Sequence, residues 1–546
     1  MTTASALVVG LVLALFRQDP PPVDHAADAG PCVPLPLTTA EKSGFTRTST
    51  SADVESLIDA CVAASPKLTR LSLAKSTQGR DVPLVLIGTQ RFADIAAARA
   101  SGKPAVLVMA NIHGGEVEGK EALQILLREF AAGGEGGHAE LLEKLTIAFV
   151  PDFNPDGNDA IDRKNRPDQN GPIEGVGQRV NGQGLDLNRD YVKLEAPETR
   201  GLVAAVNVLD PLLVMDLHTT DGSFHGYDLT YAGVMHPATD DALTMQSKLA
   251  LLQWMRAEMM GLDHPIPTFD YGDFDDNAHP EKGWSTFDCK PRYGTNYFGL
   301  THRLTLLSEA YSHEPFEKRV RVTREFVLGA LRYFADDETR MEVAHVVHFA
   351  QKYGTPELAQ RKKSLPVRGE LAGATNEEVL VGSCREEKDP VTGLTRVVDT
   401  DESHPVTMPV HVTFAGRGEL PVPIAWAIPA ATPEVETLLR RHGIACARLA
   451  EPRPAHAERF VIEKRDESPQ PFQGHKLVTL AGHREASDSE LPIGTLLVRS
   501  DQALARLAFV LLEPESDDGL ATWGLIGAAA DDPTRFAVLR VLPPTK

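Results

Sequence analysis

Pro104-Ala105-Val106-Leu107-Val108-Met109-Ala110 runs straight into Asn111-Ile112-His113-Gly114-Gly115-Glu116. The unbroken apolar run predicts a strand buried on both faces. Beyond it, Val117 to Phe130 carries Ala122, Leu123, Ile125 and Leu126 at helical spacing, so a helix follows. His113 and Glu116 therefore sit at the carboxyl end of a strand, where two glycines let the backbone turn. Of the 18 histidines, only His113 is followed three residues later by a glutamate.

The same texture extends outward. Leu68–Leu73 and Val82–Ile87 read as strands joined by the turn Ser76-Thr77-Gln78-Gly79-Arg80-Asp81. Leu145–Val150, Pro211–Leu217 and Leu304–Ser308 are further apolar strands. Helical patterns cover 52–64, 91–100, 197–208, 240–261, 317–334 and 339–353. Pro151–Gly157 is turn chemistry, and 159–184 is a long polar, glycine-rich loop. Strands alternating with helices predict an α/β domain over 31–350, a mostly parallel mixed sheet flanked by helices. From Lys362 the chain becomes short-period and turn-rich, which predicts a smaller β-rich domain over 364–546.

Ala4 to Phe16 has the length of a signal-peptide core rather than of a membrane span. Residues 1–30 are therefore expected to be a signal peptide and tether, and the protein secreted or periplasmic; without cleavage it is cytoplasmic. The formal charge of −21 excludes nucleic-acid and anionic-membrane partners, which need a basic face. The five cysteines form no Cys-x-x-Cys, so a thiolate zinc knuckle and a dithiol redox motif are both excluded. In an exported chain Cys32 and Cys61 could pair, leaving an odd number of thiols; buried free thiols are the alternative.

In α/β sheets ligands collect at the carboxyl ends of strands. Three predicted strands end in groups that bind metal or move protons: His113 with Glu116, His218, and Glu309. Two histidines and a carboxylate are a common set for catalytic zinc, leaving one tetrahedral position for water. An acid held off the metal is then needed as general base, and Glu309 is the candidate.

The order of motifs resembles the zinc metallocarboxypeptidase family, in a bacterial-type form with an added C-terminal domain. The motifs are His113-Gly114-Gly115-Glu116, Asn154-Pro155-Asp156-Gly157, Arg163-Lys164-Asn165-Arg166, Asp186-Leu187-Asn188-Arg189 and Asp216-Leu217-His218. Arg80 resembles part of the family's opening hairpin, and the likeness covers about 65–335. It implies one Zn²⁺ per chain on His113, Glu116 and His218. It further implies Asp186 orienting His113, Arg163 stabilising the oxyanion, Asn188 and Arg189 gripping a substrate carboxylate, and Glu309 as base. The glycines beside His113 are expected to keep space open for substrate.

Each position has a structural competitor. His218 could be satisfied by a carbonyl, and Asp186 could cap a turn. Arg163 shares a solvated basic stretch with Lys164 and Arg166, so that the assignment among the three rests on register, and Arg189 could pair with Asp186 or Asp190. Glu314 rivals Glu309. The family's mobile tyrosine has no clear counterpart; Tyr293 and Tyr297 are the nearest and lie closer to Glu309 than the pattern asks. The side-chain specificity pocket is not recognisable. His345-Val346-Val347-His348 and His225-Gly226-Tyr227-Asp228 read as core or cleft residues rather than ligands.

The expected substrates are peptides or acylated amino acids with a free carboxylate. Zinc-dependent peptide hydrolysis of the carboxypeptidase type is the first reading. An N-acyl amino-acid deacylase of the aspartoacylase/succinylglutamate desuccinylase type is the second. A binding protein that kept the fold and lost turnover is the third.

Overall fold

The run from Ala105 to Ala110 forms an inner strand of an eight-stranded sheet in the computed structural model, which describes residues 35–133, 138–220, 222–353, 363–388, 393 and 395–543. The expected signal segment and Cys32 lie outside these residues.

In chain order the first ten strands are β1 (Leu68–Lys75), β2 (Asp81–Ile87), β3 (Ala105–Ala110), β4 (Thr146–Val150), β5 (Leu213–Thr220), β6 (Leu229–Ala232), β7 (Thr268–Asp270), β8 (Asp273–Phe274), β9 (Trp284–Ser285) and β10 (Leu304–Tyr311). The large sheet has the order β1-β2-β4-β3-β5-β10-β6-β7. Its centre, β4-β3-β5-β10, is parallel, while β1, β2 and β6 join antiparallel. Every residue of β3, β4, β5 and β10 is buried, as continuous apolar runs between two helical layers require. Helices Glu118–Ala132 and Phe316–Ala335 pack against each other on one face, and Pro197–Leu209 lies against β1 and helix Ile95–Ala100.

Local details differ from the sequence reading. The helix expected over 240–261 is divided into Asp241–Met245 and Leu252–Met260 by a π-helical stretch, Gln246–Leu251. The expected turn Pro151–Gly157 runs into one short helix, Pro155–Asp159, capped by the Asn154 side chain on Gly157 N at 2.9 Å. The short strands β6 to β9 carry too few residues for periodicity to reveal them.

Beyond residue 363 the chain supplies β11 (Ser364–Leu371), β12 (Thr375–Lys388), β13 (Thr395–His411), β14 (Phe414–Pro421), β15 (Ala425–Ile428), β16 (Cys446–Arg448), β17 (Arg453–Glu467), β18 (Val478–Leu491), β19 (Leu496–Arg499) and β20 (Arg535–Val541). Six of them form a sheet of order β16-β19-β15-β20-β17-β18. The long hairpin β12–β13 continues instead into β9 and β8, with Val410 opposite Trp284. Helix Ala505–Leu512 is buried along its whole length. It shares one apolar core with Trp426 of the six-stranded sheet and with Tyr297 and Phe298. Arg292 and Asp518 form a buried ion pair at 2.6 Å across the same boundary, and Trp523 Nε1 donates to Asp518 at 2.9 Å. A buried pair of this kind ties the two regions together, because removing either partner strands a charge away from water.

Candidate metal and active site

His113 and Glu116 leave the end of β3 through a tight turn in which Glu116 N donates to His113 O at 2.9 Å. The glycines between them are needed for close approach rather than for open space. A Cβ on Gly114 would meet the Gly157 and Asn158 backbone at 2.3 and 2.4 Å, and one on Gly115 would meet Gly177 O at 2.8 Å. Asn111, just before the turn, adopts φ +64°, a conformation asparagine tolerates well.

The two histidines converge on one carboxylate. His113 Nδ1 lies 2.8 Å from Glu116 Oε1, and His218 Nδ1 lies 2.9 Å from Glu116 Oε2. All three side chains are buried, and their donor atoms fall within 4.8 Å of one another. Behind each ring stands a further acid: Asp186 Oδ1 at 3.1 Å from His113 Nε2, and Asp216 Oδ2 at 2.9 Å from His218 Nε2. At His113 the Asp186 hydrogen bond fixes the tautomer that leaves Nδ1 free to ligate, whereas Asp216 stands close to His218 Nε2 without hydrogen-bond alignment. Two imidazoles and a carboxylate facing one another fit a zinc ion.

The electrostatics are those of a compact charged cluster. Burial pushes the Glu116 carboxyl up, but the charges of His113 and Arg166 outweigh it and hold it well below the usual range. Burial opposes ionisation of Asp186 too. There the His113 hydrogen bond and the nearby Arg179 and Arg189 prevail. His218 is pushed up against its burial by Asp216 and Glu116.

Glu309 is 7% exposed and stands opposite His218 in the parallel β5–β10 register. Glu314, its rival, is bound to Lys318 at 2.5 Å in a different pocket beside Asp228 and Asp399, and burial lifts its carboxyl to about 7. Asn188 Oδ1 accepts from Gly294 N at 3.0 Å, and Asn188 N donates to Asp186 Oδ1 at 2.9 Å. Arg189 lies 3.9 Å from Asp186 and spreads over the Tyr293 ring at 4.1 Å. Asp190 is engaged elsewhere, accepting from Glu195 N and Ala196 N. Tyr297 is core, its hydroxyl 2.8 Å from His442 Nδ1.

The arginine loop reads differently in space. Arg163 is exposed, lining a small cavity with Asn165, Arg166 and Arg396, whereas Arg166 reaches the Glu116 carboxylate itself. Arg179 adds a bond to Asp186 at 2.9 Å. Arg166, Arg179 and Asp216 carried no assigned role in the sequence reading. Asp216 could have been found, because period two on β5 puts it on the face of His218. Arg166 and Arg179 sit in loops, where spacing gives no direction.

His225 is buried, with its Nδ1 accepting from Tyr227 N at 3.3 Å, and His345 stacks on Phe349 within a helix. Neither belongs to a group that can share an ion among the described residues.

The zinc carboxypeptidase family matches residues 54–211. Carboxypeptidase 2 of Trichophyton tonsurans is 23% identical over 483 residues, 86% of this chain and 81% of its own length. Carboxypeptidase D of Drosophila melanogaster is 36% identical over 141 residues, 25% of this chain and 9% of that protein. Among solved structures, a metallo-carboxypeptidase from Pseudomonas aeruginosa in complex with (2-guanidinoethylmercapto)succinic acid aligns with 54% of this chain and 70% of its own, at 19% identity and a TM-score of 0.38.

Proposed function

We propose that this chain, which carries a zinc carboxypeptidase domain, releases the C-terminal residue of peptides that end in a free carboxylate. The observation that carries the reading is the convergence of His113 Nδ1, Glu116 and His218 Nδ1, each histidine backed by an aspartate. Zinc, one ion per chain, supplies Lewis acidity that lowers the pKa of water and polarises the scissile carbonyl.

The remaining work belongs to the protein. Glu309 takes a proton from the attacking water and returns it to the leaving amine. Asn188 and Arg189 hold the terminal carboxylate, a bidentate task that suits a planar guanidinium. Arg163 stabilises the oxyanion, with Arg166 three residues on as its competitor for that role. Tyr293, held against Arg189, forms a wall of the carboxylate site.

Residues 1–30 are proposed as the signal and tether of a secreted or periplasmic enzyme, 31–350 as the catalytic domain and 364–546 as the β-rich domain. No described helix is long and apolar enough to cross a membrane.

Deacylation of N-acyl amino acids is the second reading, because Asn188 and Arg189 suit either carboxylate. Incubating the zinc-loaded protein with equimolar peptides, N-acyl amino acids and a cell-wall peptide, read by mass spectrometry, separates the two. Loss of single C-terminal residues is expected; exclusive release of acyl groups would favour the deacylase.

A further inference from the structure

One contact from the C-terminal region reaches the site itself. The side-chain oxygen of Gln473 accepts a hydrogen bond from Asp186 N at 2.8 Å. Asp186 in turn holds His113 Nε2 at 3.1 Å and Asn188 N at 2.9 Å through the same oxygen. Gln473 thus fixes the backbone of the residue that orients one ligand and anchors the Asn188-Arg189 pair.

The local conformation makes glutamine an unexpected choice. Phe472 and His475 exchange backbone hydrogen bonds of 2.7 and 3.0 Å, so Gln473 and Gly474 are the two residues of a tight hairpin turn. Both have positive φ, +50° and +80°. Turns of this type favour asparagine, aspartate or glycine at the first position, and a long side chain there is strained. Asparagine would suit the backbone better but is one methylene too short to make the same reach. A residue that opposes local preference points to a demand from elsewhere, and the bond to Asp186 is that demand.

The turn is also seated firmly enough to transmit position. His475 Nε2 lies 2.8 Å from Glu195, His475 Nδ1 lies 3.1 Å from Trp523 O, and the Arg292 guanidinium rests on the Phe472 and Trp523 rings.

We propose that Gln473 is a positioning residue for the zinc site, acting through Asp186 on His113, and that residues 364–546 thereby contribute to metal binding. The proposal rests on the zinc carboxypeptidase reading. It is tested on the full chain with Gln473→Asn, which keeps a turn-favouring residue and loses the reach, and Gln473→Glu, which keeps an acceptor at the same length. Zinc affinity is read by competition with a chelator, thermal stability on the metal-free protein, and kcat and KM separately on a peptide. Gln473→Asn should melt no lower than wild type, bind zinc about 10-fold more weakly and lose kcat, while Gln473→Glu stays within about threefold. Zinc affinity in Gln473→Asn within about twofold of wild type would overturn the proposal. So would a Gln473→Glu as weak as Gln473→Asn, or a Gln473→Asn that melts well below wild type. Because zinc affinity is read without substrate, a wild-type protein that binds zinc and cleaves no peptide contradicts the peptidase reading alone.

Discussion

Glu309 stands directly opposite His218 across the parallel pairing of β10 and β5. In-register partners on neighbouring strands share a face, so the carboxylate and the imidazole project to the same side of the sheet, at its carboxyl edge. The register thus brings Glu309 to the face and edge that carry His218, the position from which the proposed general base would act.

Replacing Glu309 with Gln keeps the shape and removes the basic oxygen. The expected result is a kcat lower by roughly 10²–10⁴-fold with zinc content unchanged, measured by steady-state kinetics and elemental analysis. Near-normal turnover would assign the base elsewhere.

Arg163 and Arg166 offer two guanidiniums from one loop, the first exposed and the second on Glu116. Arg163→Ala is expected to lower kcat by about 10²-fold without loss of zinc, the behaviour of an oxyanion donor. Arg166→Ala should change kcat less and leave zinc at least as tightly bound, because it removes a cation that competes with the metal for the Glu116 carboxylate. The reverse pattern in kcat and chelator competition would exchange their roles.

Arg189→Ala should raise KM by about 10–100-fold for peptides with a free C-terminus, the scale of a charge-assisted contact. Amidated peptides should respond little. An equal effect on both would separate Arg189 from the carboxylate.

His442 gives a pH-dependent stability that is independent of the metal. It is fully buried, its ring placed between the Tyr297 hydroxyl and Val192 O, and burial pushes it down to about 4. Since this lies below the unfolded value of 6.5, the stabilisation is complete above about pH 6.5 and is lost as pH falls towards 4. Between pH 7 and pH 5 the wild type should lose about 2 kcal/mol relative to His442→Gln in denaturant titrations. Parallel curves would show that the ring does not titrate on unfolding.

Much of this site is legible in the sequence because strands put their last residues at one sheet edge. Apolar runs ending in His113, His218 and Glu309 are enough to gather these groups before any side chain is placed. Asp186 and Arg189 cap and close a single 3-10 turn, Leu187–Arg189, too short for spacing to reveal, so only the motif resemblance gives them a role. The contribution of Gln473 was out of reach, since it comes from a turn 287 residues from Asp186 and from a side chain that local preference disfavours. The close packing of Gly114 and Gly115 was equally hidden, because the chain that fills their space arrives from residues 157–158 and 177.

The most direct test is a single peptide presented to the zinc-loaded protein in two forms, with a free C-terminal carboxylate and with a C-terminal amide, its products followed over time by mass spectrometry. The account predicts stepwise loss of C-terminal residues from the free acid, little change in the amide, and no products from either once a chelator has removed the metal. Cleavage of both forms at internal bonds, or persistent cleavage after metal removal, would contradict it.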